Sequence, residues 1–205
     1  MSTTEESTKS ITGKRKALVL DRDGTLVEDT IYPHKVEHFK LLPGVIEGLK
    51  KLSKDYIFVI ITNQSGIGRG IFKEEDMHKF NEKLLSELKK ENIEIKKIYY
   101  CPHAPEELCK CRKPHTKYVR EAEKEFGIDV KNSWVIGDHP HDVEMGIKNG
   151  CKSIYLLTGH GSAHLEDLKN SKIKPDFIAK NFLDASDFIM SHTKRYFIFK
   201  WGWAK

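Results

Sequence analysis

Lys16-Ala17-Leu18-Val19-Leu20-Asp21-Arg22-Asp23-Gly24-Thr25 decides how the rest of this 205-residue chain is read. A short apolar run ends in two aspartates one residue apart, then glycine and threonine. The run is too short for a helix and is closed by a glycine turn, so it predicts a buried strand. In an open α/β sheet, ligands bind beyond the carboxyl ends of the strands, where Asp21 and Asp23 would stand. Two carboxylates this close repel unless a cation or proton lies between them. Mg²⁺ is the natural cation, since it takes oxygen ligands and sits beside substrate phosphate.

Working outward from that strand, the chain alternates strand and helix patterns. Pro43 predicts the start of a helix with Val45, Ile46, Leu49 and Leu52 on one face. Tyr56–Ile61 is apolar without alternation, the pattern of a strand buried on both faces. It leads into the polar, glycine-rich loop Thr62–Gly70. Residues 72–92 carry Met77, Phe80, Leu84 and Leu88 on one helical stripe. Further strands are predicted at 96–100, 133–136, 154–157 and 177–179, and helices at 115–126 and 143–149. The sequence predicts an α/β domain with a mainly parallel sheet and helices on both faces. We divide the chain into a Ser/Thr/Glu/Lys-rich, disordered segment (1–13), the folded domain (14–192), and an aromatic and basic tail (193–205) whose aromatics fold back onto the domain.

Four polar clusters follow predicted strands or flank one: Asp21 with Asp23, Thr62 with Asn63, Arg112 with Lys113, and Asp138 with Asp142. In a parallel sheet such clusters meet at one edge, however far apart in sequence. The set suits phosphate-ester hydrolysis, which needs an in-line nucleophile and positive charge around the phosphoryl oxygens. Asp21 would attack phosphorus, and Asp23 would act as general acid and then base. Mg²⁺ would be held by Asp21, the Asp23 carbonyl and Asp138. Thr62 and Lys113 would bind and neutralise the phosphate. Arg112 would take a second phosphate or sugar hydroxyls through its planar fork. Asn63, Gln64, Ser65 and the 29–32 loop would complete the pocket.

Cys101, His103, Cys109 and Cys111 place three thiols and an imidazole within eleven residues. This set closes a tetrahedral zinc site with no open position, hence a structural one. Arg112 and Lys113 follow its last ligand directly, so a fixed loop would fix both cations.

Asp21-Arg22-Asp23-Gly24-Thr25, Thr62-Asn63, Lys113 and Gly137-Asp138 with Asp142 resemble, in order, the four motifs of the haloacid-dehalogenase superfamily of phosphatases. The resemblance spans residues 16–161. It implies a doubly wound Rossmann-like fold, Mg²⁺ dependence and an aspartyl-phosphate intermediate. The Cys-Pro-His…Cys-x-Cys-Arg-Lys-Pro loop is similar to the subgroup of D-glycero-D-manno-heptose 1,7-bisphosphate 7-phosphatase and histidinol-phosphate phosphatase, which lack a large cap domain. The motif-II and Tyr-Tyr-Cys-Pro-His stretches lie nearer the heptose type. The short His103–Cys109 spacer and His115 after Lys113-Pro114 lie nearer the other. The expected substrate is therefore the heptose bisphosphate, with histidinol phosphate and, further off, nucleic-acid 3′-phosphate ends as alternatives.

Bulk properties narrow the classes further. A net charge of +5 from 35 basic and 30 acidic residues, interleaved along the chain, favours small anions and makes no case for nucleic acid. No apolar run reaches bilayer-spanning length, and residues 1–12 lack the apolar core of a signal peptide. The expectation is a cytoplasmic monomer without membrane or nucleic-acid partners.

Overall fold

The computed structural model describes residues 13–201, with side chains described through Thr193. The chain runs β1 (Ala17–Leu20), α1 (Val45–Leu52), β2 (Ile57–Asn63), α2 (Ser65–Gly68), α3 (Glu74–Lys90), β3 (Ile95–Cys101) and α4 (Lys117–Phe126). It continues with β4 (Trp134–Gly137), α5 (Pro140–Lys148), β5 (Lys152–Leu156), α6 (Leu165–Asn170), β6 (Phe177–Ala179) and α7 (Phe182–Trp201). The six strands pair in the order β3-β2-β1-β4-β5-β6, all in parallel. This is the doubly wound, Rossmann-like arrangement. No cap domain interrupts it among the described residues.

The strand order places β1 beside β4, and the chain winds outward from that pair in both directions. A crevice opens at such a reversal, because the connections leaving the two strands depart to opposite sides. Asp21 follows β1 and Asp138 follows β4, so the topology alone brings them to one crevice.

Strand residues alternate between two cores. Leu18, Leu20, Phe58, Ile60, Trp134 and Ile136 face α1, α3 and α7. Ala17, Val19, Val59, Ile61 and Val135 face the opposite side, against α4 and α5 through Val119, Ala122 and Met145. With both faces covered, the central strands read as unbroken apolar runs.

Several boundaries differ from those the sequence predicts. Helix α1 begins at Val45, after Gly44 turns the chain at φ +81°, so Pro43 precedes the helix instead of opening it. Strand β2 extends through Asn63, which puts Thr62 and Asn63 on the strand end, and the following glycine-rich stretch holds the single turn α2. Helix α5 starts at Pro140, three residues earlier than expected, with His139 as its cap; proline suits a first helical position. Asp142 thereby sits in the first turn. Helix α6 was not expected, and α7 fills a stretch for which the sequence predicts no element. Its buried positions Phe182, Ala185, Ser186 and Ile189 form an i, i+3, i+4, i+7 stripe against the sheet. The expected disorder of residues 1–12 and the fold-back of the tail aromatics lie outside the described residues and side chains. No helix among the described residues is long and apolar enough to cross a membrane.

Candidate active site

The carboxyl ends of β1, β2 and β4 and the loop after β3 surround a cavity of about 380 Å³. Asp21, Asp23, Thr62, Asn63, Gln64, Ser65, Arg112, Lys113 and Asp138 all line it. Residues separated by more than a hundred positions thus meet in one place. Asp29, Ile31 and Tyr32 close another side, where Ile31 and Tyr32 take left-handed backbone angles of 57° and 59°.

Lys113 is the electrostatic centre. Its buried Nζ donates to Asp21 Oδ1 at 2.6 Å and to Asp142 Oδ1 at 2.7 Å. Burial works against this ammonium, yet the two carboxylates outweigh it and raise its pKa. The lysine is held from behind as well. Asn63 Oδ1 accepts the Lys113 backbone N–H at 3.0 Å, so Asn63 acts on the loop while it faces the cavity. Asp142 is oriented by the early start of α5, since its Oδ2 accepts the His139 N–H at 3.2 Å.

Carboxylate oxygens of Asp21, Asp138 and Asp142 converge within 4.8 Å of one another. Burial pushes Asp21 up to about 6, against the pull of Lys113. Burial, with Asp21 and Asp142 adding to it, pushes Asp138 up to about 8. Three carboxyl groups share one ammonium here, and the upward shifts of Asp21 and Asp138 mark a place where further positive charge would be favoured. The donors are all hard oxygens, which fits a divalent cation of the Mg²⁺ type. The cradle is tight: a Cβ on either Gly24 or Gly159 would stand 2.1 Å from Asp138 Oδ2. The Thr62 hydroxyl oxygen accepts from Gln64 Nε2 at 2.8 Å, which leaves its O–H to donate into the cavity.

The second cluster lies at the end of β3. Sγ of Cys101, Cys109 and Cys111 are 3.3–3.5 Å apart, and His103 Nδ1 is 3.2 Å from Cys111 Sγ and 3.7 Å from Cys101 Sγ. A tetrahedron with ~2.3 Å bonds has edges of about 3.8 Å, so the four donors are spaced to share one ion. The loop is tied to motif II, because Gln64 N–H donates to Cys101 O at 2.7 Å and Gly68 N–H to Pro102 O at 2.8 Å.

Sequence reasoning gave no role to Arg22, Asn81 or His160. Arg22 is fully buried and forks Asp23. His160 donates its backbone N–H to Asp138 Oδ2 at 2.8 Å, and its ring stands 3.1 Å from Asp29. Nothing local marks His160, because its partners Asp138 and Asp29 lie in segments that follow other strands. Arg22 stood inside the motif, but its neighbours on α3 are known only from packing.

Comparison with known proteins agrees with this geometry. The HAD-hydrolase-like family profile matches residues 110–185. The D-glycero-alpha-D-manno-heptose-1,7-bisphosphate 7-phosphatase of Campylobacter jejuni is 42% identical over 145 residues, covering 70% of this chain and 83% of that protein. The D-glycero-beta-D-manno-heptose-1,7-bisphosphate 7-phosphatase of Haemophilus influenzae is 42% identical over 152 residues, with the same coverage. In fold, the chain is similar to the crystal structure of D,D-heptose 1,7-bisphosphate phosphatase from B. bronchiseptica, complexed with magnesium and phosphate. The TM-score is 0.79 at 24% identity, over 86% of this chain and 99% of that one. The order of the motifs, the sheet that gathers them and these relatives lead to one assignment: the chain belongs to the haloacid-dehalogenase-like phosphatases, in the family of the heptose-bisphosphate phosphatases.

Proposed function

We propose that this phosphatase removes the 7-phosphate of a D-glycero-D-manno-heptose 1,7-bisphosphate by way of a phosphorylated Asp21. The observation that carries the mechanism is the Asp21 carboxylate. One oxygen is held by Lys113 at 2.6 Å, and the residue faces a cavity that Asp23 also lines. The relatives named above supply the substrate.

Asp21 attacks phosphorus in line with the ester oxygen. The P–O ester bond breaks, Asp23 gives its proton to the departing alkoxide, and the sugar leaves as an alcohol. Water then attacks the phosphorus of phospho-Asp21. Asp23 takes a proton from that water, the bond to Asp21 breaks, and inorganic phosphate leaves. Thr62 O–H and the Lys113 ammonium stand where they can meet phosphoryl oxygens. Asp21, the Asp23 carbonyl and Asp138 would hold Mg²⁺, which would supply the charge neutralisation that a single lysine does not provide.

Arg112 is the proposed partner of the second phosphate. It lines the cavity, and its planar fork would suit a phosphate. Cys101, His103, Cys109 and Cys111 would hold a zinc ion, and its role would be structural, because four protein donors leave no position open to substrate.

Replacing Asp21 with Asn tests the nucleophile. We expect turnover to fall by on the order of a thousandfold or more while circular dichroism and Tm hold. Wild-type-like turnover would remove the assignment. Both anomers of the bisphosphate belong in the assay, since relatives of equal identity are named for each, along with histidinol phosphate. A higher kcat/KM for histidinol phosphate would replace the substrate reading and leave the chemistry intact.

A further inference from the structure

We propose that Arg22 is a positioning residue that aims the acid–base carboxyl of Asp23, with Asn81 on α3 fixing Arg22 in turn. The inference rests on the reading of Asp23 as the proton donor to the leaving group.

Arg22 follows the nucleophile directly but is fully buried and does not line the cavity. Its Nε donates to Asp23 Oδ1 at 2.8 Å and its Nη2 to Asp23 Oδ2 at 2.8 Å. Both contacts come from one rigid plane, so they set the rotation of the carboxyl as well as its place. Gln64 Nε2 adds a third contact, to Oδ2 at 2.8 Å. Three contacts therefore fix the last torsion of Asp23, a residue that lines the cavity.

The guanidinium is anchored on elements remote from β1. Nη1 donates to Asn81 Oδ1 at 2.7 Å, Nη2 also reaches the carbonyl of Pro33 at 3.0 Å, and the plane lies 4.9 Å from the centre of the Phe80 ring. Asn81 is itself held, since its Nδ2 donates to Met77 Sδ at 2.8 Å. Asn81 is a polar residue on the apolar face of α3, between Met77, Phe80 and Leu84. Burying it there has no packing advantage over leucine, but it gives Arg22 an acceptor. Arginine carries donors only, so it takes no proton from Asp23. The proton then has only substrate and water to go to.

A positioning role separates from a structural one by leaving group. A sugar alkoxide needs a proton as it departs, whereas p-nitrophenolate leaves without one. The ratio kcat/KM covers the steps through transfer to Asp21, where this difference lies. Asp23→Asn is the reference: it should lose at least about a hundredfold on the sugar phosphate and far less on p-nitrophenyl phosphate. Equal loss on both esters in that variant would remove the acid reading itself, whatever Arg22 does.

With that reference in place, Arg22→Lys, which keeps the charge without the fork, should show the same selective loss at about tenfold or more. Asn81→Leu fits the apolar face and leaves Arg22 in the chain, so it decides the matter if the arginine variant does not fold. We expect it to shift the ester preference in the same direction, with an unchanged KM for p-nitrophenyl phosphate. A folded Asn81→Leu or Arg22→Lys protein that loses equally on both esters, or on neither, would overturn the proposal.

Discussion

Gly24 shows how much of the site depends on a single missing methyl. Its backbone turns at φ +75°, and its Cβ position is taken by Asp138 Oδ2 at 2.1 Å. Glycine is needed twice, once for the angle and once for the approach. The carbonyl of the same residue accepts the Thr158 hydroxyl at 2.7 Å, which joins the β1 turn to the segment after β5. Gly24→Ala should lower stability by about 1–3 kcal/mol from backbone strain alone. It should also raise the Mg²⁺ concentration for half-maximal activity by roughly tenfold or more, because Asp138 must move. Thermal melts and a Mg²⁺ titration check both, and an unchanged Mg²⁺ requirement would mean that Asp138 holds no metal. Asp142 belongs with the site through its contact with Lys113. It is a helix-cap partner by position and an anchor of Lys113 by contact, and only the second role is chemical.

At the scale of elements, the loop after β3 is built to deliver cations. Its four soft donors precede Arg112 and Lys113 without a spacer, and its ends are bonded to α2 and β2. Cys109 is the most accessible of the three thiols in this cluster, and hydrogen bonds to the backbone and to the other two hold its pKa down to about 7 although burial opposes this. We expect the purified protein to carry about one zinc per chain. Cys109→Ser should lose most of it, lower Tm, and reduce kcat without changing the residues that face phosphate. Metal analysis beside steady-state kinetics decides this, and full activity in a zinc-free protein would show that the loop holds its shape unaided. Helix α5 makes a related point. Its pattern of apolar residues starts at Val143, but the helix starts at Pro140, because capping geometry rather than burial sets the first turn.

At the scale of the whole molecule, one sheet with two covered faces separates stability from chemistry. Phe182 at the start of α7 fits over Gly48 of α1, where a Cβ would stand 2.7 Å from its ring. Phe182→Ala should cost about 3–5 kcal/mol and leave KM near its original value, since it empties the core beneath α1, α3 and α7 and Phe182 does not line the cavity. Chemical denaturation with parallel kinetics tests that separation, and a large change in KM would show that the core reaches the site. Sequence by itself determined the strand carrying Asp21 and Asp23, the parallel α/β class, the four clusters and the grouping of three cysteines with a histidine. Those features are written in local pattern and spacing, which short-range sterics and hydrophobic period enforce. Tertiary structure alone decided that Asn81 holds Arg22, that His160 meets Asp138, that Asn63 supports the Lys113 backbone, and that α7 completes one core. Each of these pairs residues from separate elements, and such contacts depend on how the elements are laid side by side, which no local pattern encodes.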